Sequence, residues 1–260
     1  MGNGGEPRDL DPQTVSGTPE VTIMSTLLEG LVTYHPTNDN TPYPGVAESW
    51  ETSADGLTWT FHLRDSAKWS TGDPVTAHDF KFAWKRALTP ELGCEYADWL
   101  YYIVGAEDYN LEISSSFDSV GLKTPDEQTL VIHLNHPVPD LLKKLLNHTF
   151  LPVHPATVKA FGGDKQRASG WTQAEHFVSN GPFTLESWKP NSKIRVIPNP
   201  YYWDADTVSL DAIEFYPIAM RTLRSGRSKA DNCTLLIQFL LIFVIITKKI
   251  SQTSFGSILS

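Results

Sequence analysis

Apolar and polar residues alternate most clearly at positions 59–64. Trp59, Phe61 and Leu63 are apolar, and Thr60, His62 and Arg64 are polar, which is the period of a half-buried strand. Asp55-Gly56 predicts a hairpin-type turn in front of that strand. Residues 70–74 form a turn cluster. Thr76 then predicts a helix N-cap, with Asp79 as the acidic arm of a capping box. Phe80, Phe82, Ala83, Trp84 and Ala87 give that helix an apolar face. Upstream, residues 3–18 are polar and rich in Gly and Pro, hence extended or looped. Ile23, Leu27, Leu28 and Leu31 recur at helical spacing and predict a helix over 22–31, with Gly30 as its C-cap. Ala97, Leu100, Tyr101, Val104 and Ala106 predict another. Residues 120–134 read as two strands joined at 124–127, with Leu130, Ile132 and Leu134 on one face. Residues 137–146 predict a helix entered at Pro139, with Leu141, Leu142 and Leu145 inward, and a short helix ends near Gly162-Gly163. Asn180-Gly181 reads as a turn dipeptide before a strand with Phe183 and Leu185 on one face. Ile194, Val196 and Ile197, then residues 210–218, supply the last strands. The fold class expected is α+β (mixed α/β).

Composition narrows the function. A chain that is 40% hydrophobic and 20% charged is ordinary for a globular protein. The net charge of −9 argues against nucleic acid, which needs a basic face. Two cysteines, Cys94 and Cys233, make neither a disulfide framework nor a zinc site. His133 and His136 are three apart, which on a strand places them on opposite faces and speaks against a metal site. No Gly-x-Ser-x-Gly, His-Glu-x-x-His or phosphate loop occurs, so neither an enzyme nor a cofactor is expected. Met1–Pro7 has no basic or apolar region of a signal peptide. Residues 234–247 are apolar except Gln238, but these fourteen residues are short of the ~20 a spanning helix needs.

Several motifs stand in order and in register. They are Glu6-Pro7-Arg8-Asp9-Leu10-Asp11-Pro12, Gly17-Thr18-Pro19-Glu20, Glu29-Gly30-Leu31, and Pro44 with Ala47, Ser49 and Trp50. Phe61-His62-Leu63-Arg64, the run from Trp69 through Gly72, Pro74-Val75-Thr76-Ala77 and Asp79-Phe80, and Trp84-Lys85-Arg86 follow. Gly181, Phe183, Leu185 and Trp188, then Asn199-Pro200-Tyr201-Tyr202-Trp203, complete the series. The combination resembles the family 5 extracellular solute-binding proteins, the oligopeptide- and dipeptide-binding proteins of ABC importers. Val46 departs from the Leu common there.

The resemblance implies a periplasmic-binding-protein-like type II lobe. A discontinuous ligand-binding lobe would use residues 1–30 and 160–218, an α+β subdomain would be inserted at 31–159, and the second lobe would be missing. It implies a monomeric receptor, periplasmic or extracellular and membrane-associated. That receptor captures oligopeptides by backbone pairing in the cleft between two lobes and hands them to ABC permease subunits. It implies that the backbone at Ser16, Gly17 and Thr18 lies along the peptide like an added strand; without the family, that stretch is a plain turn before a helix. Tyr96 matches a ligand-facing Tyr of the family, the alternative being a partly buried core Tyr. The Asn199–Trp203 run is expected to be a packed aromatic corner. A dipeptide, murein peptide, nickel complex or haem are alternative solutes, and a non-transporting remnant tethered by the apolar tail is an alternative role. The resemblance covers residues 3–218. Beyond them, 219–260 is expected to be a frameshifted or misread end, with a membrane tail as the alternative. A misplaced start is expected to explain the missing export signal. The family's second lobe supplies the groups that pair with the peptide's charged ends, and none maps onto this chain.

Overall fold

A computed structural model describes residues 1–35 and 38–218, with the backbone alone described at 38–40. The apolar stretch 234–247, Cys233 and the expectations for 219–260 lie outside the described residues. The first helix, α1, spans Thr18–Leu27, with Pro19 in its opening turn, where a missing N–H costs nothing. It starts and ends earlier than the apolar spacing predicts, and Gly30 is not its cap. The cause lies far along the chain. Gly181 donates its N–H to the Leu27 carbonyl at 2.9 Å. Asn180 takes the Glu29 N–H at 3.0 Å and donates to the Glu29 carbonyl at 2.9 Å. These bonds hold residues 27–29 extended against 180–181. Asn180-Gly181 is therefore a crossing point rather than a hairpin turn. A Cβ at Gly181 would lie 2.8 Å from the Leu27 carbonyl carbon, so the approach requires glycine.

Strands β1 (Val32–His35) and β2 (Asn38–Pro44) pair as an antiparallel hairpin. Strands β3 (Ala47–Thr52) and β4 (Thr58–Leu63) form the hairpin expected around Asp55-Gly56. Helix α2 (Ala77–Leu88) begins at the predicted capping box, where the Asp79 carboxylate accepts the Thr76 N–H at 2.9 Å. Phe80, Ala83, Trp84 and Ala87 are buried, as the apolar face requires.

The helix expected across 97–106 is broken. A 3-10 turn at Ala97–Leu100 gives way to Gly105 at φ +69, and only Ala106–Asn110 (α3) is α-helical. Between them Val104 donates to the His133 carbonyl at 2.9 Å and accepts from Gly121 at 2.8 Å, so its backbone belongs to a sheet edge. Strands β5 (Leu122–Lys123) and β6 (Thr129–His133) complete a four-stranded sheet ordered β3-β4-β6-β5. Phe61 stands opposite Leu130 and Trp59 opposite Ile132. His133 faces Thr58 at 3.2 Å, and His136 is exposed beyond the strand end.

The helix expected over 137–146 is reduced to one turn, α4 (Leu141–Lys144); Pro137 and Pro139 push the residues before them, His136 and Val138, away from helical geometry. Leu141 and Leu145 are still buried. Helix α5 (Pro155–Ala160) follows. Strands β7 (Phe183–Lys189), β8 (Lys193–Pro198) and β9 (Ile213–Phe215) form the third sheet, where Phe183, Leu185, Val196 and Phe215 turn inward. The chain's first residues join that sheet: Asn3 donates to the Tyr216 carbonyl at 2.8 Å and Tyr216 to that of Met1 at 2.8 Å. One contiguous apolar core runs beneath all three sheets. No helix among the described residues is long and apolar enough to cross a membrane.

Candidate functional site

Residues 11–18 enter α1, and their environment changes abruptly at Ser16. The Asp11 carbonyl accepts from Thr14 at 3.0 Å and Val15 at 3.3 Å, closing a tight turn. Arg86 of α2 grips the Asp11 carboxylate with two bonds, at 2.7 and 3.2 Å, and donates to Gln13 Oε1 at 2.6 Å and the Gly163 carbonyl at 2.8 Å. Gln13 Nε2 in turn reaches the carbonyls of Thr149 and Leu151 at 3.2 and 3.0 Å. Arg86 and Asp11 are each 1% exposed. A buried pair of this kind holds together because every charged atom finds a partner. Arg167 donates to the Thr14 carbonyl. His148 Nε2 donates to the Val15 carbonyl at 2.8 Å.

Past Val15 the pairing stops. Gly17 is extended, at φ −85 and ψ 146, while Ser16 and Thr18 are exposed. Among the described residues, nothing bonds the Ser16 N–H, the Ser16 carbonyl or the Gly17 N–H. The Gly17 carbonyl is taken by Val21 at 3.1 Å, the first bond of α1. An extended segment with open donors and acceptors is what a β-pairing ligand needs. Glycine at position 17 has a local cause. The Glu20 side chain folds back beneath it, and a Cβ there would stand 2.0 Å from Glu20 Oε2. Glu20 is buried; its Oε1 accepts the Arg8 N–H at 2.8 Å and its Oε2 has no partner.

Tyr96 lies half-buried in the loop after α2. Its ring stands perpendicular to His148, 5.4 Å between centroids, and edge-on to Trp99 at 6.2 Å. One imidazole links the four residues expected at the site: Ser16, Gly17 and Thr18 follow the carbonyl that His148 holds, and Tyr96 packs against the same ring. Burial lowers the His148 pKa, which keeps the ring neutral. Nearby, burial pushes the Cys94 thiol up to about 11, so it is not a nucleophile at neutral pH. His148, Glu20, Gln13 and Arg86 are the site's supporting groups that no motif of chemistry announces. The sequence hint is that Asp11, Glu20 and Arg86 stand inside three of the quoted motifs.

A cavity of about 310 Å³ has His148 in its lining, together with the apolar Val21, Leu28, Leu145 and Phe183 and the polar Glu29 and Tyr202; Ser16, Gly17, Thr18 and Tyr96 do not line it. Glu29 is buried. It accepts from the Tyr202 hydroxyl and from Trp203 Nε1, both at 2.7 Å, and Arg64 stacks on Trp203 at 3.9 Å from the ring centroid. Burial raises its pKa to about 7 despite those donors. In the Asn199–Trp203 corner Asn199 is buried and Tyr202 and Trp203 pack on each other, as expected, while Tyr201 is exposed; the two packed rings also supply the polar caps for a buried carboxylate.

Comparisons with known proteins point one way. The family described as bacterial extracellular solute-binding proteins, family 5 Middle, matches residues 41–237. The periplasmic oligopeptide-binding protein OppA of Escherichia coli is 37% identical over 243 residues, covering 91% of this chain and 43% of that protein. The periplasmic murein peptide-binding protein MppA of the same organism is 33% identical over 236 residues, covering 90% of this chain and 42% of that protein. The crystal structure of Haemophilus influenzae OppA in complex with the peptide RPPGFSPFR superposes with a TM-score of 0.78 at 37% identity, covering 84% of this chain and 41% of that one. The chain therefore spans less than half the length of these relatives.

Proposed function

Because this chain belongs to the bacterial extracellular solute-binding proteins of family 5, we propose that it serves as the substrate-binding component of an ABC peptide importer. In this reading it captures oligopeptides by main-chain pairing along Ser16-Gly17-Thr18, with Tyr96 at the flank. The observation that carries the reading is the open backbone at exposed Ser16 and half-buried, extended Gly17, beside a buried segment anchored through Asp11, Gln13, Thr14 and Val15. Main-chain pairing is indifferent to side-chain identity, which suits a receptor for many sequences. The pairing completes in a cleft between two lobes, of which the described residues form one. The receptor acts as a monomer in the periplasm or on the outer face of a membrane, hands its ligand to permease subunits, and performs no chemistry on it. The periplasmic relatives support the location, and the peptide-binding relatives support the ligand class.

Calorimetric titration of the full-length protein with tri-alanine, free alanine and tri-alanine methylated on its central amide nitrogen tests this. Tri-alanine binds, free alanine does not, and methylation weakens binding about tenfold, the value of one good hydrogen bond in a dry site. Equal affinity for the methylated peptide would remove main-chain pairing from the account. Peptide recovered intact by mass spectrometry is the expected companion result, and cleaved peptide would assign an enzyme instead. The resemblance to the murein peptide-binding relative favours a second reading, in which a murein tripeptide displaces tri-alanine at lower concentration.

A further inference from the structure

We infer that His148 is the positioning residue of the peptide edge: one neutral imidazole fixes both the backbone that receives the ligand and the ring of Tyr96. The inference rests on the peptide-binding reading for its purpose, and on geometry for its substance.

The carbonyl of Val15 is the last paired backbone group before Ser16, and its partner is His148 Nε2 at 2.8 Å. A carbonyl can only accept, so that nitrogen carries the proton. The same ring meets Tyr96 perpendicularly at 5.4 Å. Among the described residues, no other side chain both bonds the Val15 carbonyl and packs on the Tyr96 ring. His148 is itself held in place from two sides. The Asn147 side chain accepts the Thr149 N–H at 2.9 Å, and Gln13 donates to the carbonyls of Thr149 and Leu151. Trp84 Nε1 pins the next carbonyl, that of Phe150, at 2.9 Å. The imidazole therefore projects from a rigid loop of the chain's middle onto the N-terminal strap. Without that bond the strap is anchored through Thr14, and the position of the Ser16 backbone that follows is no longer set. A flat ring with a directed N–H does two jobs that a lysine or a phenylalanine could not combine: it donates along one edge and offers a face or edge to an aromatic neighbour.

Three forms of the full-length protein separate the roles: wild type, His148→Phe, which keeps the ring and loses the donor, and His148→Gln, which keeps a donor and loses the ring. In the unliganded proteins, the Val15 amide, held by the Asp11 carbonyl at 3.3 Å, exchanges only when the strap opens; its exchange accelerates about tenfold in His148→Phe and returns to near wild type in His148→Gln, because the closed strap loses and regains the bond on its Val15 carbonyl. Tri-alanine affinity falls about tenfold in His148→Phe, and the penalty for methylating its central amide shrinks, because a strap out of register no longer pairs with that amide. A role in packing alone would leave that penalty unchanged. Unaltered exchange at Val15 in His148→Phe, or acceleration of the same size in His148→Gln, overturns the inference. So does an unchanged methylation penalty alongside a weakened affinity. If wild type binds no peptide at all, the peptide-binding reading fails, while the exchange measurement still decides whether His148 holds the strap.

Discussion

Residues 11–15 and residues 16–18 are neighbours in the chain and opposites in their bonding. The first five are buried, and Asp11, Gln13, Thr14 and Val15 are bonded from three different parts of the chain: Arg86, residues 148–151 and Arg167. Ser16 and Thr18 are exposed and Gly17 half-buried, and Ser16 has no hydrogen bond to any described residue. The contrast teaches how a fold keeps an open backbone segment without letting it collapse. Open donors and acceptors would ordinarily find partners in their own protein. Here the segment on one side is buried and anchored and the segment on the other is a helix, so the open stretch has little freedom to satisfy itself. In the function proposed above, a ligand meets an edge already in shape, which lowers the ordering cost of association.

The contrast breaks most severely at Arg86. Replacing it by Met leaves the Asp11 carboxylate buried and unpaired and removes the bond to Gly163, so Arg86→Met is expected to lose about 3–5 kcal/mol of stability in chemical denaturation. A loss below about 1 kcal/mol would mean that the strap is held by its other partners. Replacing Asp11 and Arg86 together by apolar residues sharpens the point, since stability should recover in large part while the alignment of Ser16 does not.

Glu29 offers the second test, because it is a buried carboxylate answered by a phenol and an indole where Asp11 has a guanidinium. Its folded pKa of about 7 lies above the 4.5 of the free side chain. The folded state thus binds the extra proton between those values, and Glu29's contribution is fully present below pH 4.5 and lost as pH rises through 7. The shift corresponds to about 3 kcal/mol. The titration of His148, lowered by burial, runs the other way, with stability lost as pH falls below the usual histidine range. Glu29→Gln isolates the carboxylate, because His148 is common to both proteins. Denaturation from pH 4 to 8 should show wild type losing ground to Glu29→Gln as pH rises. Parallel curves would mean that Tyr202, Trp203 and Arg64 already hold the charged form without penalty.

The smallest expected effect falls on the edge itself. Gly17 has φ −85, which alanine adopts freely, so Gly17→Ala tests only the contact with Glu20. Displacing that carboxylate is expected to cost about 1–3 kcal/mol, as overpacking does. Adding Glu20→Ala should return part of it, and no recovery in the melting temperature would show that the strain lies elsewhere.

Much of this molecule was written locally. The alternation of Trp59, Phe61 and Leu63, the Thr76–Asp79 cap and the apolar face of α2 rest on neighbours within a few residues, and the sequence carries such short-range rules openly. The family motifs carried the fold class, because their spacing survives in the linear chain, and they pointed to Ser16-Gly17-Thr18 as the stretch whose open backbone the proposal uses. The errors cluster where a distant segment decides. Leu28 leaves the helix because Asn180 and Gly181 claim its neighbours' backbone, and Val104 leaves a helical pattern because a strand edge takes its amide. His148 is the clearest case. Its sequence neighbours describe an ordinary loop, and its meaning comes from Val15 and Tyr96, 133 and 52 positions away by their numbering. Helical period, turn chemistry and capping are set by covalent neighbours and can be read from them. Which backbone groups remain open is set by what the whole chain brings alongside, and only the tertiary structure determines that.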